Sequence, residues 1–163
     1  MAQTLSVPEM LPAKVMPHLK NRFVLAIEGI DAYTVKTAAR PEITTEEIKL
    51  NWINSTRYVA GKTDFSEMSV TLIDYISPST AQQVMEWARL CYEPVSGRAG
   101  YPDFYKRDIQ LKIVDPVGTV VQLWDIKGAW CKSIGYGDLS YEEGAAVQEI
   151  TLSIRFDMCV MQY

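Results

Sequence analysis

Apolar and polar residues alternate along several stretches of this chain, most cleanly in Glu149-Ile-Thr-Leu-Ser-Ile-Arg-Phe-Asp-Met158. Successive side chains of a β-strand point to opposite faces. Ile150, Leu152, Ile154, Phe156 and Met158 therefore form one row, and Glu149, Thr151, Ser153, Arg155 and Asp157 the other. The first row predicts a core face, and the second meets water or a partner. Residues 67–74 repeat the design, with Met68, Val70 and Leu72 inward against Glu67, Ser69 and Thr71.

Weaker versions of the same signal mark the rest of the chain. Phe23 to Glu28 and Tyr33 to Ala39 read as two short strands joined in a hairpin through Gly29-Ile-Asp31, with Pro41 stopping the second. Glu46 to Tyr58 alternates, Ile48, Leu50 and Trp52 falling on one side and Lys49 and Asn51 on the other, before a break at Ala60-Gly61-Lys62. Arg107 to Val114 places Ile109, Leu111 and Ile113 on one face. The turn sequence Asp115-Pro-Val-Gly118 then joins it in a hairpin to strand-like Thr119 to Trp130. Val95 to Lys106 and Gly135 to Ala146 read as loops.

The period changes to a helical one only once. From about Pro78 to Tyr92, Ala81, Val84, Met85, Ala88 and Cys91 recur at helical spacing opposite Gln82, Gln83, Glu86 and Arg89. Ser77 as N-cap followed by Pro78 in the first turn predicts its start, and Pro94 its end. The apolar stripe is that of a packing face. About seven strands, one flanking helix and long loops predict a mainly β fold, a sandwich or small barrel with the helix laid on it.

Residues 1–20, with Pro8, Pro12 and Pro17 among scattered Leu, Val and Met, resist helix and sheet and read as an extended arm. Residues 21–163 are then one domain, in keeping with a length of 163 residues. The formal charge of -4 and the lack of any basic block argue against a grip on nucleic acid through its phosphates. Three widely spaced cysteines, Cys91, Cys131 and Cys159, suggest neither a disulfide framework nor a paired-cysteine zinc site, and read as reduced thiols. No stretch approaches the ~20 apolar residues of a membrane span, and no secretion signal opens the chain. Asn54-Ser55-Thr56 matches a glycosylation acceptor by chance on that reading.

Catalytic groups are sparse. His18 is the one histidine, and it sits in the arm between Pro17 and Leu19, a poor place from which to activate a nucleophile. Gly135-Tyr-Gly137 lacks the third glycine and the strand-to-helix context of a dinucleotide fingerprint. Glu46 and Glu47 would face opposite ways on a strand, so they do not converge on a substrate. We therefore expect no catalytic residues, no metal and no cofactor.

Several segments, in order, resemble the tail tube protein of contractile-tailed bacteriophages. Asn21-Arg-Phe-Val-Leu25 is similar to the family's opening strand, and Lys36-Thr-Ala-Ala-Arg-Pro41 to the end of its second. Tyr58-Val-Ala-Gly-Lys62, Phe65 and Met68-Ser-Val-Thr-Leu-Ile-Asp74 resemble its glycine turn and following strand. Val84 to Trp87 resembles its helix, and Ile126-Lys-Gly-Ala-Trp130, Leu139 and Ile150 to Asp157 its C-terminal part. Cys131 stands where the family often has proline, and the arm before residue 20 is longer than usual.

The resemblance implies a structural virion protein, a β-barrel with a flanking helix, assembling as stacked homohexameric rings into the inner tail tube. Implied partners are the sheath around the tube, the baseplate initiator and the tail terminator. DNA would pass through the lumen without specific binding, and the protein, made in the host cytoplasm, would reside in the virion tail. A lumen that lets DNA slide should lack basic, base-stacking or phosphate-gripping groups. Glu67, Ser69, Thr71, Thr151, Ser153 and Asp157 are the candidate lumen residues on that reading; Lys36, Lys49 and Arg155 run against it unless neighbouring carboxylates pair with them. Two other readings stand beside it: the inner-tube ring protein of a phage-like bacterial secretion or injection device, and a small-molecule-binding β-barrel.

Overall fold

The alternating rows become strands, and all but those of one hairpin share a single core. A computed structural model describes residues 14–163. The arm expected over residues 1–20 falls largely outside them, and residues 14–20 are irregular, ending in a turn. In chain order the strands are β1 (Phe23–Ile27), β2 (Val35–Ala38), β3 (Ile43–Trp52), β4 (Ser55–Phe65) and β5 (Met68–Ile73), then the helix α1 (Thr80–Cys91). There follow β6 (Tyr92–Glu93), β7 (Arg98–Ala99), the single turn α2 (Pro102–Tyr105), β8 (Arg107–Val114), β9 (Val120–Gly135), β10 (Glu149–Arg155) and β11 (Met158–Met161).

Seven strands form one antiparallel sheet in the order β1-β8-β9-β10-β5-β2, with β11 continuing along β9 beyond β10. The sheet is folded over its own apolar face. Leu25, Ile109, Leu111 and Ile126 from one half meet Met68, Val70, Leu72, Ile150, Leu152, Ile154 and Phe156 from the other in a single cluster, with Val84 and Trp87 of α1 packed into it. Burial of a large apolar side chain contributes about 1.5–3 kcal/mol before entropy is counted, so this cluster is the main source of stability.

The fold in the sheet is built at Gly128 and Asp157. On β9 the inward residues are Ile126 and Ala129, and on the facing strand they are Phe156 and Cys159, so both lose alternation at the same level. Gly128 has φ +66, and a Cβ there would collide with the Asp157 carboxylate. Only glycine fits, and the irregularity turns the sheet. It also corrects the C-terminal reading: Met158 is exposed and Cys159 takes the inward place, because the strand breaks at Asp157.

Other boundaries differ from expectation. Phe23–Ile27 and Val35–Ala38 do not form a hairpin; β1 pairs with β8 and β2 with β5, and residues 32–34 make a 3-10 turn between them. Glu46 to Tyr58 is not one strand. It contains a two-residue turn, Ile53-Asn54, between β3 and β4, and Gly61 lies inside β4 and forms no turn. The helix starts at Thr80, capped by the Ser79 hydroxyl accepting the Gln82 N–H at 3.4 Å, while Ser77-Pro78 is a cis peptide ahead of it. The Val95 to Lys106 loop carries β7 and α2. β9 extends five residues past Trp130, to Gly135.

Trp87 fixes α1 to the sheet. It is buried, donates its indole N–H to the Tyr105 carbonyl at 2.8 Å, and lies 5.1 Å beneath the Arg107 guanidinium. Arg107 in turn donates to the Glu28 carbonyl, beside Gly29 at φ +80, where a Cβ would come within 2.8 Å of the guanidinium. One cation thus joins helix, sheet and the β1 turn through stacking and a hydrogen bond.

Candidate functional site

The outer face of β2, β5, β10 and β9 is a band of hydroxyls. Register places Thr37 opposite Thr71, Thr71 opposite Thr151, and Thr151 opposite Gly135. In the next row Ser69 faces Ser153 and Ser153 faces Ser133. A bulge between Ser153 and Ile154 leaves both Lys132 and Ser133 of β9 exposed on this face.

Ion pairs flank the hydroxyls. Lys36 pairs with Glu149 at one end; at the other, Lys132 pairs with Glu67, and Arg155 with Asp64 at 3.4 Å. Glu67 also accepts the Ser153 hydroxyl at 2.8 Å. Hydrogen bonds from Lys132 and then Ser153 hold its carboxyl below the usual range. Each of these three cations has a carboxylate partner, so the face carries dipoles and internally neutralised charge. Exposed pairs of this kind add little stability. Their consequence is electrostatic: the cations that would grip a polyanion are already matched.

Of the six residues singled out from the sequence, Glu67, Ser69, Thr71, Thr151 and Ser153 come together here. Asp157 does not. It sits at the sheet's fold against Gly128, paired with Lys106 at 2.6 Å. Thr37, Lys132 and Ser133 also belong to the face, their parity hidden in the sequence by the irregularities in β9 and β2, and Asp64 of β4 reaches it through Arg155.

The β3–β4 hairpin stands outside the core. Every residue of β3 is exposed, and in β4 all but Gly61 and Phe65. Trp52 is 74% and Ile53 88% exposed, and Ile48, Leu50, Tyr58 and Val59 also face solvent. Ile53 has φ 47, a left-handed conformation that strains a β-branched residue at a position favouring Gly or Asn.

Two of the thiols lie in environments that disfavour the thiolate. Burial pushes Cys131 up to about 12 and raises Cys159 as well. Among the described residues, no group of three His, Cys, Asp or Glu side chains is arranged to hold a metal ion, and no helix is long and apolar enough to cross a membrane.

Residues 19–156 match the protein family described as T4-like virus tail tube protein gp19. The chain belongs to this tail tube family. A tail tube protein of Serratia phage KSP90 is 24% identical over 115 residues, which is 70% of this chain and 65% of the relative, so the chain spans less than two thirds of that protein's length. Among solved structures, the tube-terminating cap of the anti-feeding prophage superposes with TM-score 0.74 at 14% identity, covering 97% of this chain and 99% of that one. The sheath-tube complex of the extracellular contractile injection system PVC gives 0.71 at 12% identity, covering 98% and 99%. Hcp1 from Flavobacterium johnsoniae gives 0.55 at 13% identity, covering 86% and 94%. At such identities these structures share the tail tube fold with this chain, a mainly β sheet with one packed helix.

Proposed function

We propose that residues 21–163 form the subunit of an inner tail tube, assembling as hexameric rings that stack around a lumen through which phage DNA passes. The β3–β4 hairpin carries this reading. An isolated two-stranded hairpin is at best marginally stable in water, yet this one runs ten residues out, about 30 Å of strand, with Leu50, Trp52, Ile53 and Tyr58 in solvent. A strained isoleucine at its tip is sensible where the side chain fills a neighbour's surface. Such surfaces in one copy, matched to a different surface in the next, generate rings and helical tubes.

The hydroxyl face is the lumen wall on this reading, with Glu67, Ser69, Thr71, Thr151 and Ser153 toward the channel. Counterion release makes free Lys and Arg the groups that hold DNA, and Lys36, Lys132 and Arg155 are each matched by a carboxylate. The role is structural, not enzymatic, the location is the virion tail, and sheath, baseplate and terminator are the partners. An inner tube of a contractile injection device is the second reading, favoured by the likeness to the anti-feeding prophage and PVC structures. Capsid and terminase genes beside this one select the phage. Electron microscopy of the purified protein, with its tail initiator complex, should show six-fold rings and hollow tubes; persistent monomers under all conditions contradict the proposal.

A further inference from the structure

β1 and β2 are the two edge strands of the folded sheet, and neither pairs with the other. Between them opens a cleft of about 310 Å³ with an apolar floor of Phe23, Leu111 and Ile113. Its rim is cationic: Lys20, Arg22 and Arg40 line it beside His18, and among the described residues no carboxylate does. Lys20, Arg22 and Arg40 make no ion pair within the described residues, unlike the cations of the hydroxyl face. The nearby Asp115 carboxylate is committed to its own turn, accepting the Val117 and Thr119 N–H groups at 2.9 and 2.8 Å.

A segment of opposite character lies at the other end of the same strands. Residues 134–148 contain Asp138, Glu142 and Glu143 and no Lys or Arg. Within this stretch Leu139, Tyr141 and Val147 project fully or largely into solvent. Register fixes the polarity. Along β9 the cleft lies at the level of Gln122, opposite Ile113, whereas the acidic loop leaves from Gly135, opposite Thr151. Along β5 the chain beyond Ala38 lies at Ser69, while Glu149, which ends the loop, pairs with Ile73. One end of the subunit is therefore a cationic cleft with an apolar floor, and the other an acidic loop with apolar tips.

We infer that the acidic loop 138–147 of one copy seats in the cationic cleft between β1 and β2 of the next, as the axial contact between stacked subunits. Leu139 and Tyr141 meet the apolar floor, and Asp138, Glu142 and Glu143 meet Lys20, Arg22 and Arg40. The contact is heterologous and joins opposite ends of the subunit, so along the tube axis it propagates head to tail. Opposed charges set its register, because a like-charged, head-to-head approach is repulsive. The inference rests on the tube reading and names the surfaces by which that tube grows. The competing occupant, the chain's own residues 1–13, offers one carboxylate, Glu9, against the loop's three.

Two charge-reversed proteins test it. A cleft variant carries Lys20→Glu and Arg40→Glu; a loop variant carries Asp138→Lys and Glu143→Lys. All four positions are exposed, so circular dichroism and thermal melting should match the parent protein. Each variant alone should lose tubes in electron micrographs under conditions where the parent forms them, and an equimolar mixture should restore tubes of alternating subunits. Tubes from either variant alone, or no rescue on mixing, overturn the inference while parental tubes leave the tube reading standing. Absence of tubes from the parent defeats that reading instead. A disulfide between Arg40→Cys and a cysteine placed in residues 1–13, in preference to Tyr141→Cys of a second copy, gives the cleft to the N-terminal segment and also overturns the inference.

Discussion

The β5–β10 pair and the β3–β4 hairpin are written in the same alternating code and end in opposite environments. Met68, Val70, Leu72, Ile150, Leu152 and Ile154 are at most 1% exposed, while Ile48, Leu50 and Trp52 stand 49–74% exposed. In the first pair a curled sheet and a helix cover the apolar row. In the second, nothing among the described residues does. A period-two pattern therefore states that one face wants cover; it does not state whether the cover comes from the same chain or another. The hairpin's turn is the more telling for being strained, since an exposed Ile53 at φ 47 is a poor choice for a lone subunit.

The sharpest way to break this comparison is to place the same charge in both rows. Leu152→Asp should abolish folding, at more than about 4 kcal/mol, because an unpaired carboxylate enters the core. Leu50→Asp should keep the subunit within about 0.5 kcal/mol of the parent in a denaturant titration, while removing assembly. If Leu50→Asp unfolds the subunit, the hairpin is part of the core's stability and the contrast fails. Next in size, Trp87→Ala should cost about 3–5 kcal/mol by emptying the site between α1 and the sheet, with the hydrogen bond to Tyr105 lost as well; Trp52→Ala should cost the folded subunit almost nothing.

Gly128→Ala tests the fold in the sheet. A left-handed residue with a Cβ costs about 1–2 kcal/mol, and the Asp157 carboxylate stands in its way, so its melting temperature should fall. Ile53→Gly should act in the reverse sense at the hairpin, relieving strain in the subunit but weakening assembly. A separate effect is confined to alkaline pH. Cys131 is held neutral in the folded state up to about 12, against 9.0 for an ordinary thiol. The unfolded chain thus releases this proton first, and the stabilisation, intact below about pH 9, is lost as pH rises through the folded value. Cys131→Ala should flatten stability between those pH values, and an unchanged slope contradicts the burial argument.

Much of the sheet was legible because one-sided burial imposes strict alternation. Residues 107–114 and 149–155 carry it without interruption and form β8 and β10. What the pattern concealed lies where geometry departs from alternation. Gly128 and Asp157 shift the parity of two facing strands together, so simple alternation points Met158 inward in place of Cys159 and groups Asp157 with hydroxyls it does not join. The β3–β4 turn escaped because Ile53 is not a residue that advertises a turn. Trp87 stood outside the helical stripe read from Ala81 to Cys91, yet it is the side chain that seats the helix. The hydroxyl face was visible on β5 and β10, where strands are regular, and hidden on β9, where a bulge exposes Lys132 and Ser133.

A cryo-electron microscopy reconstruction of the assembled protein would place the hydroxyl face and the hairpin tip. We expect a hollow tube with Thr71, Thr151 and Ser153 on the channel wall and Trp52 and Ile53 buried between subunits. A tube with the hydroxyl face turned outward, or with the hairpin tip in solvent, contradicts it.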